Sequence, residues 1–361
     1  MVLVKQQKVL LIDSGIGGLS VLARLLEQAT QNHIALEACY VADTAWFPYG
    51  ERSRESLKPR VIALLETCIQ AFQPDLIVIA CNTLVSVTAE DFLPFLQSQY
   101  QVWDPIHAVC ETLVKTCHHY HQQNITPPSL RPMGILATPL TASSGVYPRL
   151  LSQTLRTHEL AQTWETLCVP VACSGLASWV ENTLYHAFQT EADFTSLKTD
   201  TTSSGGIPLQ EVLRLPFTTL ATLAAPPKKI LSTHPTPLPY HWVLGCTHYP
   251  LIQSVLKHAW HTSNPNMPSP TCLDPAETLL TQPYHPVVLP EDTLTTADIA
   301  SHQASHSIHF RFTQSAHATS QETHHLEHTQ VQFYQWVLQH YAHEKTQALL
   351  HYRVTGEAWV F

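Results

Sequence analysis

Two cysteines stand directly after short apolar runs and are followed at once by side chains that form hydrogen bonds. Cys81 follows the run LIVIA in the segment ACNT, and Cys246 follows the run WVLG in the segment GCTH. A single cysteine at a strand end is usually a small buried hydrophobic residue. Because the pattern occurs twice, the sequence favours a shared chemical role for the two thiols.

Such a pair of thiols could invert a carbon centre. An unperturbed thiol has a pKa of ~8.5, which a neighbouring histidine or helix N-terminus shifts. A thiolate on one side of a carbon could remove its proton, and a thiol on the other side could return one to the opposite face. His248, two residues after Cys246, and Asp13, at the end of the run VLLI, could each tune a thiol.

Asp13 opens a glycine-rich segment, DSGIGG, in which a strand is expected to turn into a helix. Backbone N–H groups at such a turn suit a carboxylate or a phosphate. Ser20 stands where the dinucleotide-binding fingerprint has its last glycine, so we do not expect a nucleotide. A purely structural turn would also explain the glycines, but it would not require an aspartate at the strand end.

The elements that would position these residues alternate along the chain. Apolar runs predict buried strands at residues 9–12, 39–42, 76–80, 134–137, 167–172 and 242–244. Between them lie stretches with helical spacing, such as the apolar positions from Val61 to Phe72. Strands that alternate with helices indicate an α/β protein with largely parallel sheets, in which ligands gather beyond the carboxyl ends of the strands.

Two regions interrupt this alternation. Residues 190–240 contain loop-like segments around a helix candidate at 209–224. Residues 293–329 are rich in His, Ser, Thr and Gln and predict a surface insertion or mobile tail, after which VQFYQWVLQHY predicts a docked helix. The segment CHHYH, at 117–121, has metal-ligand residue types, but we interpret it as solvated histidines and expect no metal ion.

The overall composition excludes several classes of function. The 361 residues are 44% apolar and 13% charged, with a net charge of −9 and no basic stripe, so nucleic acid is not an expected partner. No run reaches the ~18 apolar residues of a membrane span, and the N-terminus lacks a secretory signal pattern. Nine cysteines without paired spacing indicate a reducing compartment, so we expect a cytoplasmic protein.

Motifs along the chain together resemble those of glutamate racemases, in the cofactor-independent aspartate/glutamate racemase family. They are DSGIGGL, YVADTAWFPYGERS, ACNT, ATPLTASSGVY, VACSGLASWVE, GCTHYPL and LDPAE, with YRVTGE near the C-terminus. The resemblance implies two pseudo-symmetric α/β domains, each a mainly parallel sheet flanked by helices, with the active site in the interdomain cleft. We expect the first domain at 1–105 plus 272–361, with a His-rich insertion near 293–329. The second is expected at 106–271, with an insertion near 190–240.

The resemblance also implies roles for individual residues. Cys81 and Cys246 match the two catalytic cysteines, which act on the D and the L enantiomer respectively. Asp13 and His248 match the residues that assist the two thiols and also contact the substrate. Glu181 stands where the family has a supporting catalytic carboxylate.

Other residues in the motifs would bind the substrate or could have a structural role instead. The residues that would hold the ammonium and carboxylate groups are Ser14, Tyr49, Gly50, Asn82, Thr83, Thr138, Thr141 and Thr247. The threonines of ATPLT could instead cap a helix, and the Tyr-Gly pair could form a plain turn. Glu181 could be a solvated helix residue, because Ser174 replaces the proline of the family's pattern, and Ala177 and Ser178 replace Val-Pro.

The resemblance therefore implies an isomerase that interconverts L-glutamate and D-glutamate without a cofactor and supplies D-glutamate for peptidoglycan synthesis. We expect a homodimer with a small-molecule substrate and no nucleic-acid or membrane partner. One alternative is an aspartate or broad-specificity amino-acid racemase, which would keep both cysteines. Another is a non-catalytic binding protein on the same scaffold.

Overall fold

A computed structural model describes residues 6–122, 132–158, 168–191, 208–224, 241–281, 306–314, 320–346 and 352–360. Its strands, in chain order, are β1 Gln6–Asp13, β2 Ala35–Ala42, β3 Leu76–Ile79, β4 Gln101–Trp103, β5 Met133–Ala137, β6 Cys168–Ala172, β7 His241–Gly245, β8 Thr271–Leu273, β9 His306–Gln314 and β10 Tyr352–Val360. The six strands predicted from apolar runs are all present, as β1, β2, β3, β5, β6 and β7.

The helices lie between these strands. They are α1 Leu19–Gln31, α2 Arg54–Phe72, α3 Asn82–Thr88, α4 Phe92–Gln99, α5 Pro105–Gln122, α6 Pro139–Ser143, α7 Val146–Thr157, α8 Leu176–Gln189, α9 Leu209–Ala224, α10 Gln253–Ser263, α11 Thr278–Thr281 and α12 Ser320–Thr346. The helix predicted at 209–224 is confirmed as α9, and the aromatic stretch lies within α12. Among the described residues no helix is long and apolar enough to cross a membrane.

The strands form two sheets. One has six strands in the order β10-β9-β2-β1-β3-β4, and the other has four in the order β6-β5-β7-β8. Every pairing is parallel. The predicted fold class, two mainly parallel sheets flanked by helices, is confirmed. Because all strands of a sheet run the same way, their carboxyl ends, and the residues that follow them, lie along one edge.

The two sheets share their hydrophobic core. Leu11 of β1 and Leu244 of β7 belong to one buried apolar cluster, and Leu10 and Val243 belong to a second. All four side chains are fully buried. The sheets draw on residues 6–103 with 306–360 and on 133–273, but the domain limits expected from the sequence stay a prediction.

The expectation of a surface insertion at 293–329 is wrong for residues 306–314. These form β9, which pairs with β2 on one side and β10 on the other inside the larger sheet. Ile308, Phe310 and Phe312 alternate along the strand and are fully buried, while the histidine and arginine between them are only partly buried. The period-2 pattern of a strand was present, but the surrounding polar residues hid it. Residues 293–305 and 315–319 lie outside the described part of the chain, as do 192–207 and 225–240 of the other predicted insertion.

Candidate active site

The two strand-end cysteines both lie in buried positions that their strands determine. Cys81 follows β3 and is the N-cap residue of α3, and Cys246 follows β7. Their relative exposures are 5% and 6%. Burial raises the pKa of the Cys81 thiol well above its usual range, and the nearby charges of Asp13 and Cys246 act in the same direction. The N–H groups at the start of α3 oppose this shift without cancelling it, so Cys81 is held as the protonated thiol.

His248 provides the second cysteine with a charged neighbour. Its Nδ1 atom lies 3.9 Å from the Cys246 sulfur, and its Nε2 atom lies 2.9 Å from a Glu181 carboxylate oxygen. Burial disfavours the imidazolium, but the interactions with Cys246 and Glu181 outweigh it and raise the pKa of His248 to about 10. At neutral pH the ring therefore carries a proton that it can direct to the sulfur.

Glu181 is not the solvated helix residue considered as an alternative. Its side chain is 16% exposed, and in addition to His248 it accepts a hydrogen bond of 3.3 Å from the backbone N–H of Ile16. The carboxylate thus joins α8 to the glycine-rich loop after β1. Gly175, with φ of +73°, sets the backbone before α8 despite the serine at position 174.

Asp13 connects the ends of the two sheets. It is fully buried, its Oδ1 atom accepts from the Gly15 N–H at 3.0 Å, and its Oδ2 atom accepts from the Thr247 hydroxyl at 2.9 Å. Burial raises the pKa of Asp13, while the charge of His248 and these two hydrogen bonds oppose the rise. The Thr247 proton is directed to Asp13, so in this arrangement Thr247 offers a ligand its lone pairs rather than its proton.

The glycines of DSGIGG allow close approach between the two halves of the site. An added Cβ atom at Gly17 would lie 2.4 Å from the Thr247 hydroxyl oxygen and 2.5 Å from His248 Nδ1. At Gly15 it would lie 2.3 Å from a Glu181 oxygen. The loop is therefore packed against protein side chains, and the glycines are needed for that contact. Ser14, next to Asp13, is buried at 5% exposure.

Three threonine hydroxyls form a triangle between α3 and α6. The oxygens of Thr83 and Thr138 are 2.9 Å apart, Thr138 donates to Thr141 at 3.0 Å, and Thr141 donates to Thr83 at 3.1 Å. All three are buried. Thr138 also caps α6 by accepting from the Thr141 N–H at 3.4 Å, so capping and membership in the triangle occur together. Asn82, which precedes Thr83, accepts a hydrogen bond of 2.8 Å from Tyr147.

The Tyr49–Gly50 pair does form a turn, and a buried polar cluster holds it. The Tyr49 hydroxyl donates to Asp43 at 2.6 Å, and the Arg60 guanidinium pairs with the same carboxylate at 2.7 Å. Thr313 of β9 also donates to Asp43. Because the phenol is occupied, the part of this turn that can approach a ligand is its backbone. An added Cβ at Gly50 would lie 2.3 Å from Cβ of Thr138, a member of the threonine triangle.

Four further polar residues of the site are not among those predicted from the sequence: Asp43, Arg60, Thr313 and Tyr147. For Asp43 a signal existed, because it follows β2 directly, as Asp13 ends β1. For the other three, the sequence offered no signal of their partners.

Among the described residues no group of three or more His, Cys, Asp and Glu side chains is placed to hold a metal ion. In CHHYH, Cys117 is buried and the His118 ring contacts that of His158 at 5.6 Å.

The fold and the site together define a class: an α/β protein with two parallel sheets, in which a thiol follows a strand of each sheet and polar side chains join the two ends. No family model matches the chain. A glutamate racemase from Granulibacter bethesdensis is 45% identical over 96 residues, which are 24% of this chain and 32% of that protein. A glutamate racemase from Bacillus cereus is 27% identical over 246 residues, 68% of this chain and 70% of that protein.

The fold agrees with these matches. The crystal structure of the glutamate racemase from Francisella tularensis in complex with D-glutamate has a TM-score of 0.55 at 17% identity, and the match covers 97% of both chains. The chain spans about a third of the length of the Granulibacter relative, 32%. The resemblance to glutamate racemases inferred from the motifs is confirmed.

Proposed function

We propose that this protein is a glutamate racemase that inverts the α-carbon of glutamate with Cys81 and Cys246. The main support is that a buried thiol follows β3 in one sheet and β7 in the other, and that the Asp13–Thr247 hydrogen bond joins the end of β1, the neighbour of β3, to the residue after Cys246. The similarity to curated glutamate racemases supports the substrate. The Francisella protein was crystallised with D-glutamate, which supports the same choice.

The proton balance of the reaction needs only the two thiols. With L-glutamate, the Cys246 thiolate removes the α-proton and becomes a thiol, and the electron pair of the broken C–H bond stays on the α-carbon. The Cys81 thiol then gives its proton to the opposite face and becomes a thiolate. With D-glutamate the same steps run in reverse, starting from the form in which Cys81 is the thiolate and Cys246 the thiol. Between turnovers, proton exchange with solvent interconverts the two forms. The assignment of each thiol to one enantiomer follows the family resemblance.

The neighbouring groups have complementary roles in this scheme. His248 is protonated and held by Glu181. It donates a hydrogen bond to the Cys246 thiolate until that thiolate takes the α-proton. Asp13 lies close enough for its charge to raise the pKa of Cys81, and it tunes that thiol. Fixed hydroxyl and N–H groups stabilise the charge that develops on the substrate better than bulk water does. Asn82, Ser14 and the backbone N–H at Gly50 supply such donors. The hydroxyls of the threonine triangle donate to one another and offer their lone pairs to the substrate's ammonium group.

The wider biological role follows from the same proposal. The enzyme works in the cytoplasm as a homodimer, takes a small amino acid as its substrate, uses no cofactor or metal ion, and supplies D-glutamate for peptidoglycan synthesis. The first domain comprises 1–105 and 272–361, and the second comprises 106–271.

Solvent deuterium exchange tests this proposal directly. In D₂O the protein should incorporate deuterium at the α-position of both glutamate enantiomers, as measured by proton NMR together with circular dichroism of the amino acid. Cys81→Ala and Cys246→Ala should each abolish inversion, while Cys68→Ala, at a buried cysteine on α2, should not. Faster exchange with aspartate than with glutamate would reassign the substrate. Binding of glutamate without exchange into either enantiomer would contradict catalysis and favour a binding protein.

A further inference from the structure

The Tyr147 hydroxyl bonds to one cysteine-bearing segment and lies beside the other. The residue lies in the first turn of α7 and is 1% exposed. Its hydroxyl donates a 2.8 Å hydrogen bond to Oδ1 of Asn82, the residue that follows Cys81. The same oxygen lies 3.1 Å from the position of a Cβ atom added to Gly245, the residue that precedes Cys246. The phenol oxygen therefore lies between the ends of β3 and β7, the strands that precede Cys81 and Cys246.

The hydrogen bond from Tyr147 distinguishes the two ends of the Asn82 amide. Oδ1 is the occupied acceptor, whereas Nδ2, although buried, has no hydrogen-bond partner among the described residues. A buried polar group without a partner is uncommon and costs free energy, so it requires an explanation. Asn82 lies between Cys81 and Thr83, a member of the threonine triangle, which is where the substrate's charged groups would be held.

We propose that Tyr147 is a positioning residue, which fixes the Asn82 amide so that its NH₂ group donates to a carboxylate of the bound amino acid. This inference rests on the proposed function, because it assumes an amino-acid substrate between the two thiols. If the amide turned over, its oxygen would face that carboxylate and repel it. The phenol O–H prevents this, since it satisfies the amide oxygen on the side away from the substrate.

The proposal predicts an effect on binding that is equal for the two enantiomers. L- and D-glutamate carry the same carboxylates and differ in the position of the α-proton, which the thiols remove and return. Tyr147→Phe removes the hydroxyl and keeps the ring. We expect it to raise KM about tenfold for both enantiomers, the value of roughly one hydrogen bond to a charged group, and to leave kcat within about threefold.

A double-mutant cycle with Asn82→Ala separates positioning from a general structural effect. If Tyr147 acts through Asn82, the double variant should have the KM of Asn82→Ala alone, because the hydroxyl has nothing left to orient. Tyr341→Phe is the matched control. Tyr341 is also fully buried and donates a 2.9 Å bond, to Asp274, but it belongs to α12. The Tyr341→Phe substitution should lower the midpoint of thermal unfolding and leave KM unchanged.

The outcomes distinguish failure of the positioning role from failure of the proposed function. An unchanged KM in Tyr147→Phe, or additive effects of the two substitutions, would overturn the positioning role while the wild type still racemises glutamate. A KM that rises for one enantiomer only would also overturn it. If the wild-type protein neither exchanges the α-proton nor binds D-glutamate by calorimetry, the proposed function itself fails. Calorimetric affinities for D-glutamate should follow KM across the variants, which checks that the change is in binding.

Discussion

Replacing Glu181 by glutamine removes one negative charge that lies 2.9 Å from His248 and keeps the size of the side chain. In the wild-type protein the pKa of His248 is raised to about 10 by its interactions with Cys246 and Glu181, against the effect of burial. An opposite charge at this distance shifts a pKa by about 1–3 units, which corresponds to roughly 1.4–4 kcal/mol. The Glu181→Gln variant should therefore have a His248 pKa of about 7–9, because the interaction with Cys246 remains.

The lowered His248 pKa should reduce the activity of Glu181→Gln at high pH. Because the imidazolium supports Cys246, activity should be nearly retained near pH 6.5 and lost as pH rises through the lowered pKa. The high-pH limb of kcat/KM should move down by about 1–3 pH units relative to the wild type. With L-glutamate, Cys81 acts as the acid, and its raised pKa keeps the thiol protonated over this range, so it does not set the limb. The assay is the pH dependence of racemisation from L-glutamate, together with NMR titration of the His248 ring.

The free energy of unfolding should depend on pH through the same His248 pKa. A histidine whose pKa is raised on folding stabilises the protein fully below its unfolded pKa of ~6.5, and this contribution is lost as pH rises through the folded pKa. For the wild type that window extends from the unfolded pKa of ~6.5 to the folded pKa of about 10. Urea unfolding at pH 6 and pH 9 should show a larger loss for the wild type than for Glu181→Gln. Glu66→Gln, on the exposed face of α2, is the control. An unshifted His248 titration in Glu181→Gln would show that the Glu181 charge does not raise the pKa of His248.

Three further substitutions test the packing around the site. Gly17→Ala places a Cβ atom 2.4 Å from the Thr247 oxygen and should lower kcat/KM by about 100-fold without unfolding the protein, as racemisation and thermal unfolding would show. Asp43→Asn breaks a buried ion pair with Arg60 and should lower the free energy of unfolding by about 3 kcal/mol in urea; an unchanged value would contradict its supporting role. Phe310→Ala, in β9, should cost about 3–5 kcal/mol in the same measurement, whereas a surface segment would lose almost nothing.

Much of the fold could be predicted because its strands are unusually simple in sequence. A parallel strand covered on both faces is a continuous apolar run, and β1, β3 and β7 each contain one. Strand β9 has a mixed pattern instead, in which partly buried His309 and Arg311 alternate with the buried Ile308, Phe310 and Phe312. Composition alone therefore assigned it to the surface. Its place beside β2 depends on a pairing between residues more than 260 positions apart, which local sequence does not encode.

The site was predictable in its residue types but not in its hydrogen bonds. Cys81 and Cys246 could be found because each follows a strand, and strand ends meet at one edge of a sheet. The hydrogen bond from His248 to Glu181 required a particular rotation of α8, which the sequence left open because of Ser174. Likewise, the direction of the Tyr147 bond depends on how α7 packs against the segment after β3. Such contacts follow from the packing of elements distant in sequence.

Four polar bonds of the site also hold its two halves together. Each joins the end of a strand of the six-stranded sheet, or the segment after it, to a segment that belongs with the four-stranded sheet: Asp13–Thr247, Ile16–Glu181, Thr83–Thr138 and Asn82–Tyr147. A substitution that removes a whole side chain would thus disturb both the geometry of the thiols and the packing of the halves. Changes that remove one charge or one hydroxyl, such as Glu181→Gln and Tyr147→Phe, keep the volume of the contact. They therefore test the chemistry of the site separately from its assembly.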